Sequence, residues 1–513
     1  MSLRLPAGRL VLCEFLLCVL CGKALNAKDA KKTQSSRRNQ HFIFIPTLPF
    51  ISLHRKFGEC LKNKIRIASG SGFWGDLQSI PLQQVTKGQV DYLMMDFLAE
   101  VTMSIMQKQR KRNPAAGYAK DLIQIMKEIL PHVAEKNIKV ITNGGGANPM
   151  GCVEEIVKCA HKQGIKGLKI AVVSGDDILD SLDDLLKRGA GLDNMESGQK
   201  ITDVKERLIS ANVYFGARPI VEALKKGAQI VITGRTTDTS LTYAPMIHEF
   251  KWSWDDWDKL AAGVIAGHIL ECGGQASGGN FLGDWKSVPD LAHIGFPIAE
   301  AYPNGEIVIT KHENTGGMVS VETVSEQLLY EIGDPTSYIT PECVADFTSI
   351  KLEQLEKDRV RVYGIKGKPA TDLFKVSMAY NDGYTAIGSL TYSWPDALEK
   401  AQKADEILRT RLFDLGLKFD EIRTEFLGVN ACHGPLASEQ NEINEVVLRI
   451  GVRSNHHHDI EAFSKEIAPL ILTGPPSVTG FAGGRPKANE VIAYWPALMP
   501  KKLVHPKVEI IQT

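Results

Sequence analysis

From Lys64 onward the chain repeats one pattern. A short, β-branched, continuously apolar run ends in glycine or an acid, and a helical stretch follows. The runs are KIRIASG (64–70), VDYLMMD (90–96), NIKVITN (137–143), LKIAVVSGDD (168–177), ANVYFGA (211–217) and AQIVITGR (228–235). Between them, apolar residues recur at helical spacing, as at 122, 123, 125, 126, 129 and 130. Strands apolar on both faces must be covered on both faces. Alternation with helices therefore predicts an α/β fold: a parallel sheet with helices on both faces in the N-terminal half. Glycines and polar residues gather at the C-terminal ends of the runs, the edge where open α/β sheets bind ligands.

After about residue 285 the rhythm changes. GEIVITK (305–311), VSVETVSEQLLYEI (319–332), DFTSIKLEQL (346–355), DRVRVYGIKG (358–367) and the run 373–393 read as strands joined by turns. Helices are predicted over 394–415 and 460–472, so this half reads as α+β. The expected plan is an N-terminal extension (1–61), an α/β domain (62–285) and an α+β domain (286–513) packed against it.

The extension carries ten Lys/Arg against three Asp/Glu. Its apolar run, Leu10–Leu20, is broken by Glu14 and is too short to span a bilayer. Arg4 and Arg9 ahead of that run suit a secretory signal. The many basic residues, few acids and Ser35-Ser36 suit a mitochondrial presequence, and an N-terminus without a targeting role is the third reading. The body holds five widely spaced cysteines, an odd number, which fits neither a disulfide framework nor a zinc ribbon. The net charge is zero, and no basic stripe is interleaved with aromatics, so no nucleic-acid partner is implied.

The candidate site lies in the loops. In NGGGANP (143–149), Asn148 suits an N-cap and Pro149 the first helical turn. That leaves Gly144, Gly145 and Gly146 unexplained. With Asn143, they read as a ligand loop, because N–H groups at a helix N-terminus bind anions. In GRTTDTS (234–240), Arg235 would hold a carboxylate or phosphate and Asp238 would act as acid or base, unless the two simply pair. Asp96, Asp176 and Asp177 end other runs of the same sheet. Lys311, ahead of Gly316 and Gly317 in ITKHENTGGMV, would meet a phosphate or enolate, or merely sit in water. Asp96, Asp176, Asp238 and Lys311 are thus the catalytic candidates. The ligand-binding candidates are Asn143, Gly144, Gly145, Gly146, Asn148, Arg235, Gly316 and Gly317.

His268, Glu271 and Cys272 share a helix face, but zinc needs three or four ligands and no further pair stands out. A buried helix end capped at Gly273-Gly274 explains them equally well. NHHHD (455–459) reads as a solvated loop. GSGFWGD (70–76) is neither GxGxxG nor a P-loop. No metal is assigned, and the cofactor stays unknown.

Taken together, SGSGFWGD, VDYLMMDFLAE, TNGGGANP, VVSGDD, GRTTDTS, AGHILECGGQASGG, ITKHENTGGMVSVETVSEQLLYEIGDP and TSYITPECVADFT resemble, in the same order, the blocks of the acyclic terpene utilisation (AtuA-like) family, over about residues 64–500. The resemblance implies breakdown of citronellol-, geraniol- or related branched acyl-CoA compounds. It brings no catalytic residues with it. Two functions follow: a lyase or hydrolase acting at a carbonyl of a branched carboxylic acid or acyl-CoA, or a non-catalytic subunit of an acyl-CoA enzyme such as a biotin-dependent carboxylase. With the basic extension, this metabolic context favours mitochondria over secretion or the cytoplasm.

Overall fold

The computed structural model describes residues 62–438, 442–481 and 483–513. The extension and its targeting readings lie outside these residues. The N-terminal part runs β1 (Ile65–Ser71), α1 (Ile80–Thr86), β2 (Tyr92–Met95), α2 (Glu100–Arg112), α3 (Lys120–Lys136), β3 (Lys139–Thr142), α4 (Pro149–Lys162), β4 (Lys169–Ser174), α5 (Leu182–Lys187), β5 (Leu208–Val213), α6 (Ala217–Lys225), β6 (Ile230–Thr233), α7 (Ser240–Phe250) and α8 (Trp257–Glu271). Strands β1, β2, β3, β6 and β4 pair in that order, all parallel.

Successive strand residues fall into two separate buried clusters. Ile65, Ile67, Tyr92, Met94 and Val231 pack with residues of α6, α7 and α8. Ala68, Leu93, Met95, Ile230 and Ile232 pack with residues of α2, α3 and α4. The period of two along each strand sends neighbours to opposite faces. A strand with apolar residues on both faces therefore belongs in the middle of such a sheet.

The sheet does not stop with the parallel strands. β7 (Ile298–Ala301) pairs antiparallel with β1, and β8 (Ile307–Thr310) pairs antiparallel with β7. Strands 359–363 and 351–356 continue that side, while 507–512 closes the other side against β4. The result is a ten-stranded mixed sheet. Residue 285 marks a change from parallel to antiparallel pairing within it.

Two segments depart from expectation. The 211–217 run is not a strand of the parallel series: β5 ends at Val213 and pairs antiparallel with the long strand Leu373–Ser393. An apolar run records burial but not its partner, so periodicity alone did not separate these choices. Within 319–332, the structure holds a helix, α9 (Val321–Leu329), rather than a strand. Ser320 accepts the Thr323 N–H, and the Thr323 side chain accepts the Ser320 N–H. This reciprocal capping starts the helix, and Val324 and Leu328 lie on its buried side.

Leu373–Ser393 organises the second sheet. Its first half pairs with β5 and with 489–500, and its second half with 445–454. Helices Ala397–Asp414 and His457–Ile467 pack on that sheet around Leu408, Phe463 and Ile467. His456, His457 and His458 are exposed, and the last two open a helix rather than lying in a loop.

Candidate active site

Five parallel strands bring their C-terminal ends to one edge, and there the predicted residues meet. Asp96 follows β2 and Asn143 follows β3. Asn143 Nδ2 donates to Asp96 Oδ1 at 2.7 Å, and Asn143 Oδ1 accepts the Phe97 N–H at 2.8 Å. Leu98 N–H also donates to Asp96 Oδ1 at 3.0 Å. Asp176, after β4, accepts from the Arg235 backbone N–H at 2.8 Å and from Asn212 Nδ2 at 2.9 Å. It therefore holds the loop that carries Arg235.

Arg235 is 2% exposed. Its Nη1 reaches Asp238 Oδ1 at 2.5 Å and Leu98 O at 3.2 Å, while Nη2 reaches Tyr214 Oη at 2.9 Å and Asp238 Oδ2 at 3.3 Å. Its plane lies 4.1 Å from the Tyr214 ring centroid. Tyr214 in turn donates to Glu100 at 2.8 Å. Arg235 and Asp238 thus pair with each other, the plainer of the two readings, and only Arg235 Nε is left without a partner.

Of these groups, Asp96, Glu100, Arg235 and Asp238 line a crevice of about 390 Å³, while Asn143, Asp176 and Tyr214 support it from outside its lining. Asp96, Glu100, Asp238, Glu271 and Glu331 border it against a single arginine. Burial, then the neighbouring Asp238, pushes the Asp96 carboxyl well above the usual range. Burial also raises Asp238, against the pull of Arg235. Asp238 receives two guanidinium bonds, whereas Asp96 receives only neutral donors. The shared proton therefore belongs on Asp96 and the shared charge on Asp238. Burial alone would raise Glu100, but Arg235, its own backbone N–H, Tyr214 and Lys375 together bring it below its ordinary value.

Glu271 comes from the last turn of α8. Its Oε1 lies 2.8 Å from His268 Nδ1, and His268 Nε2 lies 3.0 Å from the Gln327 carbonyl. A carbonyl only accepts, so Nε2 carries a proton. Burial pulls His268 down, yet Glu271 outweighs it and the imidazole is raised. Burial raises Glu271 as well. Both directions keep a proton between the two rather than losing it. Glu271 Oε2 is buried without a partner. Cys272, beside it, is pushed up to about 12 by burial and then by Glu271, so it is a thiol rather than a nucleophile.

Other predicted residues lie elsewhere. A Cβ on Gly144 would meet Leu122 at 2.7 Å, and one on Gly145 would meet Thr233 O at 2.6 Å. Gly146 has φ +51°, and a Cβ there would collide with Met106. Close packing accounts for all three glycines. Asn148 caps α4 through Gly151 N–H at 3.1 Å. The space beside that cap is lined by Asp176, Asp177 and Asp180, with Arg110 paired to Asp177 at 3.4 Å. With Glu509 on the same lining, an anion there would meet four carboxyl groups. Lys311 is 5% exposed at its side chain, bonds Thr315 O at 2.9 Å and lies 3.4 Å from Asp358. It borders a separate hollow with Arg66 and Glu300. Gly316 and Gly317 donate their N–H groups to His293 O and Pro289 O, so their backbones are engaged.

Glu100, Glu271 and Glu331 are the crevice residues the loops did not announce, and Tyr214 is the partner of Arg235 that they did not announce. Glu271 had a faint signal in its shared face with His268. Glu100 had none, because it sits in no glycine-bearing turn, and Tyr214 lies within the ANVYFGA run, where an aromatic reads as strand core. Among the described residues, no group of three or more His, Cys, Asp or Glu could hold a metal ion. No helix among them is long and apolar enough to cross a membrane.

Residues 65–510 match the model of one family, described as Acyclic terpene utilisation family protein AtuA. No curated protein and no solved structure matches the chain.

Proposed function

The chain belongs to the acyclic terpene utilisation family, and on that premise we propose that it is an enzyme of terpenoid or branched-chain carboxylic acid and acyl-CoA catabolism. Proton transfer at a carbonyl is the chemistry that the crevice supports best. One observation carries this reading: two carboxyls sit side by side, both raised by burial, and only Asp238 is bonded to the Arg235 guanidinium while Asp96 has neutral donors alone. Such a pair supplies an acid and a base at the same pH.

In this reading Asp96 gives a hydrogen bond or proton to the carbonyl oxygen. Asp238 removes a proton, either from the carbon beside the carbonyl, after which a β-hydroxyl takes up that proton and leaves as water (a lyase), or from an attacking water, after which the C–S bond breaks and the departing CoA thiolate takes up that proton (a hydrolase). Arg235 keeps Asp238 charged. With Asp96 protonated, the other four acids still outnumber the one engaged arginine and repel a free carboxylate, so a thioester fits the crevice better than the acid it comes from.

The test incubates the full chain with branched, unsaturated acyl-CoA thioesters and follows products by mass. Release of CoA marks a hydrolase, and gain or loss of water marks a lyase. Asp96→Asn and Asp238→Asn should each cut turnover by roughly 100-fold or more. Full activity in both variants would overturn the reading. Phe73 and Tyr330 stand exposed at the crevice mouth and favour a second reading, a non-catalytic subunit docked on an acyl-CoA enzyme such as a biotin-dependent carboxylase. Turnover by the isolated chain decides against it. For localisation we propose mitochondria. Secretion of a reporter carrying residues 1–61 would refute that.

A further inference from the structure

We propose that a second cleft, built around Arg218, Lys501 and Lys502, binds a nucleoside diphosphate. Tyr214 packs on Arg235 in the crevice, and the next residue, Phe215, lines this cleft of about 490 Å³. That volume suits a small ligand.

The argument rests on unbalanced charge beside exposed rings. Arg218 is exposed and lies 4.2 Å over the Trp254 ring. Among the described residues its guanidinium has no carboxylate partner. Lys501 Nζ donates to the Pro341 and Thr371 carbonyls and, among the described residues, forms no ion pair. Lys502 is exposed and has no acid partner among the described residues. Cations at another hollow are neutralised by acids, as Lys311 and Arg359 are.

Two acids line the cleft. Glu342 is 4% exposed, raised by burial, and committed to Tyr243 and the Arg218 backbone N–H. Asp372 is exposed at the rim. Three cations therefore converge with one solvated carboxylate against them. Guanidinium and ammonium groups in that state bind phosphate oxygens.

The rings supply the other half. Trp257 is 37% exposed and lines the cleft with Phe374. An exposed indole beside cations is a stacking surface for a base, whichever base it is. A ring with two phosphates satisfies both halves, whereas a bare anion leaves the indole idle. The ligand is either a free nucleotide or the nucleotide end of a larger thioester such as a CoA compound. The site does not rest on the acid–base reading of the crevice, because binding is read without turnover.

The test is calorimetric titration of the full chain with ADP, pyrophosphate and CoA. ADP should bind, and Arg218→Ala and Lys502→Glu should each weaken it by about tenfold or more, with melting temperature unchanged. Trp257→Ala should weaken ADP but leave pyrophosphate as it was. If CoA displaces ADP and binds more tightly, the nucleotide belongs to a thioester. If CoA fails to displace ADP, the ligand is a free nucleotide. Absence of ADP binding at millimolar concentration would overturn the proposal. So would equal ADP affinity in Arg218→Ala and Lys502→Glu, or pyrophosphate binding as tightly as ADP with no effect of Trp257→Ala.

Discussion

Arg218, in the first turn of α6, and Arg235, just after β6, sit seventeen positions apart and live in opposite surroundings. Arg235 is buried, and its two terminal nitrogens are shared among a carboxylate, a carbonyl and a phenol. Arg218 is exposed, rests on an indole and holds no acid. The buried cation has only Nε unpartnered; its terminal nitrogens are taken, and it sets the charge of its neighbours. Among the described residues the exposed one has its whole donor set free. A glycine-led, hydroxyl-rich loop, GRTTDTS, surrounds the first, and nothing conspicuous surrounds the second. Residue type and motif therefore say less about ligand binding than the number of partners already taken.

The largest effect that could break this contrast is the loss of Arg235. Arg235→Met should cost about 3–5 kcal/mol of stability, because Asp238 is left with an uncompensated charge in the crevice. A urea unfolding midpoint close to the unaltered protein's would mean that the guanidinium was never structural.

Next in size is a pH effect at Asp176, which holds the Arg235 loop. Burial raises this carboxyl from 3.8 to about 6. Between those values the folded chain binds more protons than the unfolded chain, so this contribution is present below about pH 4 and lost as pH rises through 6. The shift corresponds to about 3 kcal/mol at most. Asp176→Asn keeps the hydrogen-bond acceptor for Arg235 N–H and cannot titrate. Its stability should vary less between pH 4 and 6 than that of the unaltered chain. Identical pH profiles would remove Asp176 from the account.

Smaller again is Gly145→Val. The added atoms meet Thr233 O and Pro149, so overpacking of about 1–3 kcal/mol is expected in the melting curve. Unchanged melting with weakened thioester binding would return the loop to the role that its glycines suggested. The smallest effect belongs to Arg218→Ala, which should move stability by no more than about 0.5 kcal/mol. A large destabilisation there would make the two arginines alike and dissolve the comparison.

Much of the crevice was legible before any coordinates. Asp96, Asn143, Asp176 and Arg235 each end a β-branched run, and parallel strands must bring such ends to one edge. The three glycines were visible too, but their reason was not. A sequence does not distinguish a glycine that makes room for a ligand from one that makes room for Thr233, because both require the same missing Cβ. The 319–332 helix was misread for a related reason. Its β-branched residues resemble a strand until the Ser320–Thr323 cap is recognised as a start signal.

The amino-acid sequence by itself determined the local terms: the family, the run-and-helix alternation, the strand ends that carry polar groups, and the cap at Asn148. These depend on spacings of two to four residues, which a single strand or turn already contains. Only the tertiary structure decided which charges are spent. Glu100 from α2, Tyr214 from β5's end and Glu271 from α8 reach one guanidinium's surroundings across more than 170 positions of chain. The same folding sent β5 to the second sheet and left Arg218 unpaired at the cleft. Burial and pairing of this kind are set by contacts between distant segments, and no local pattern encodes how many partners a side chain will find.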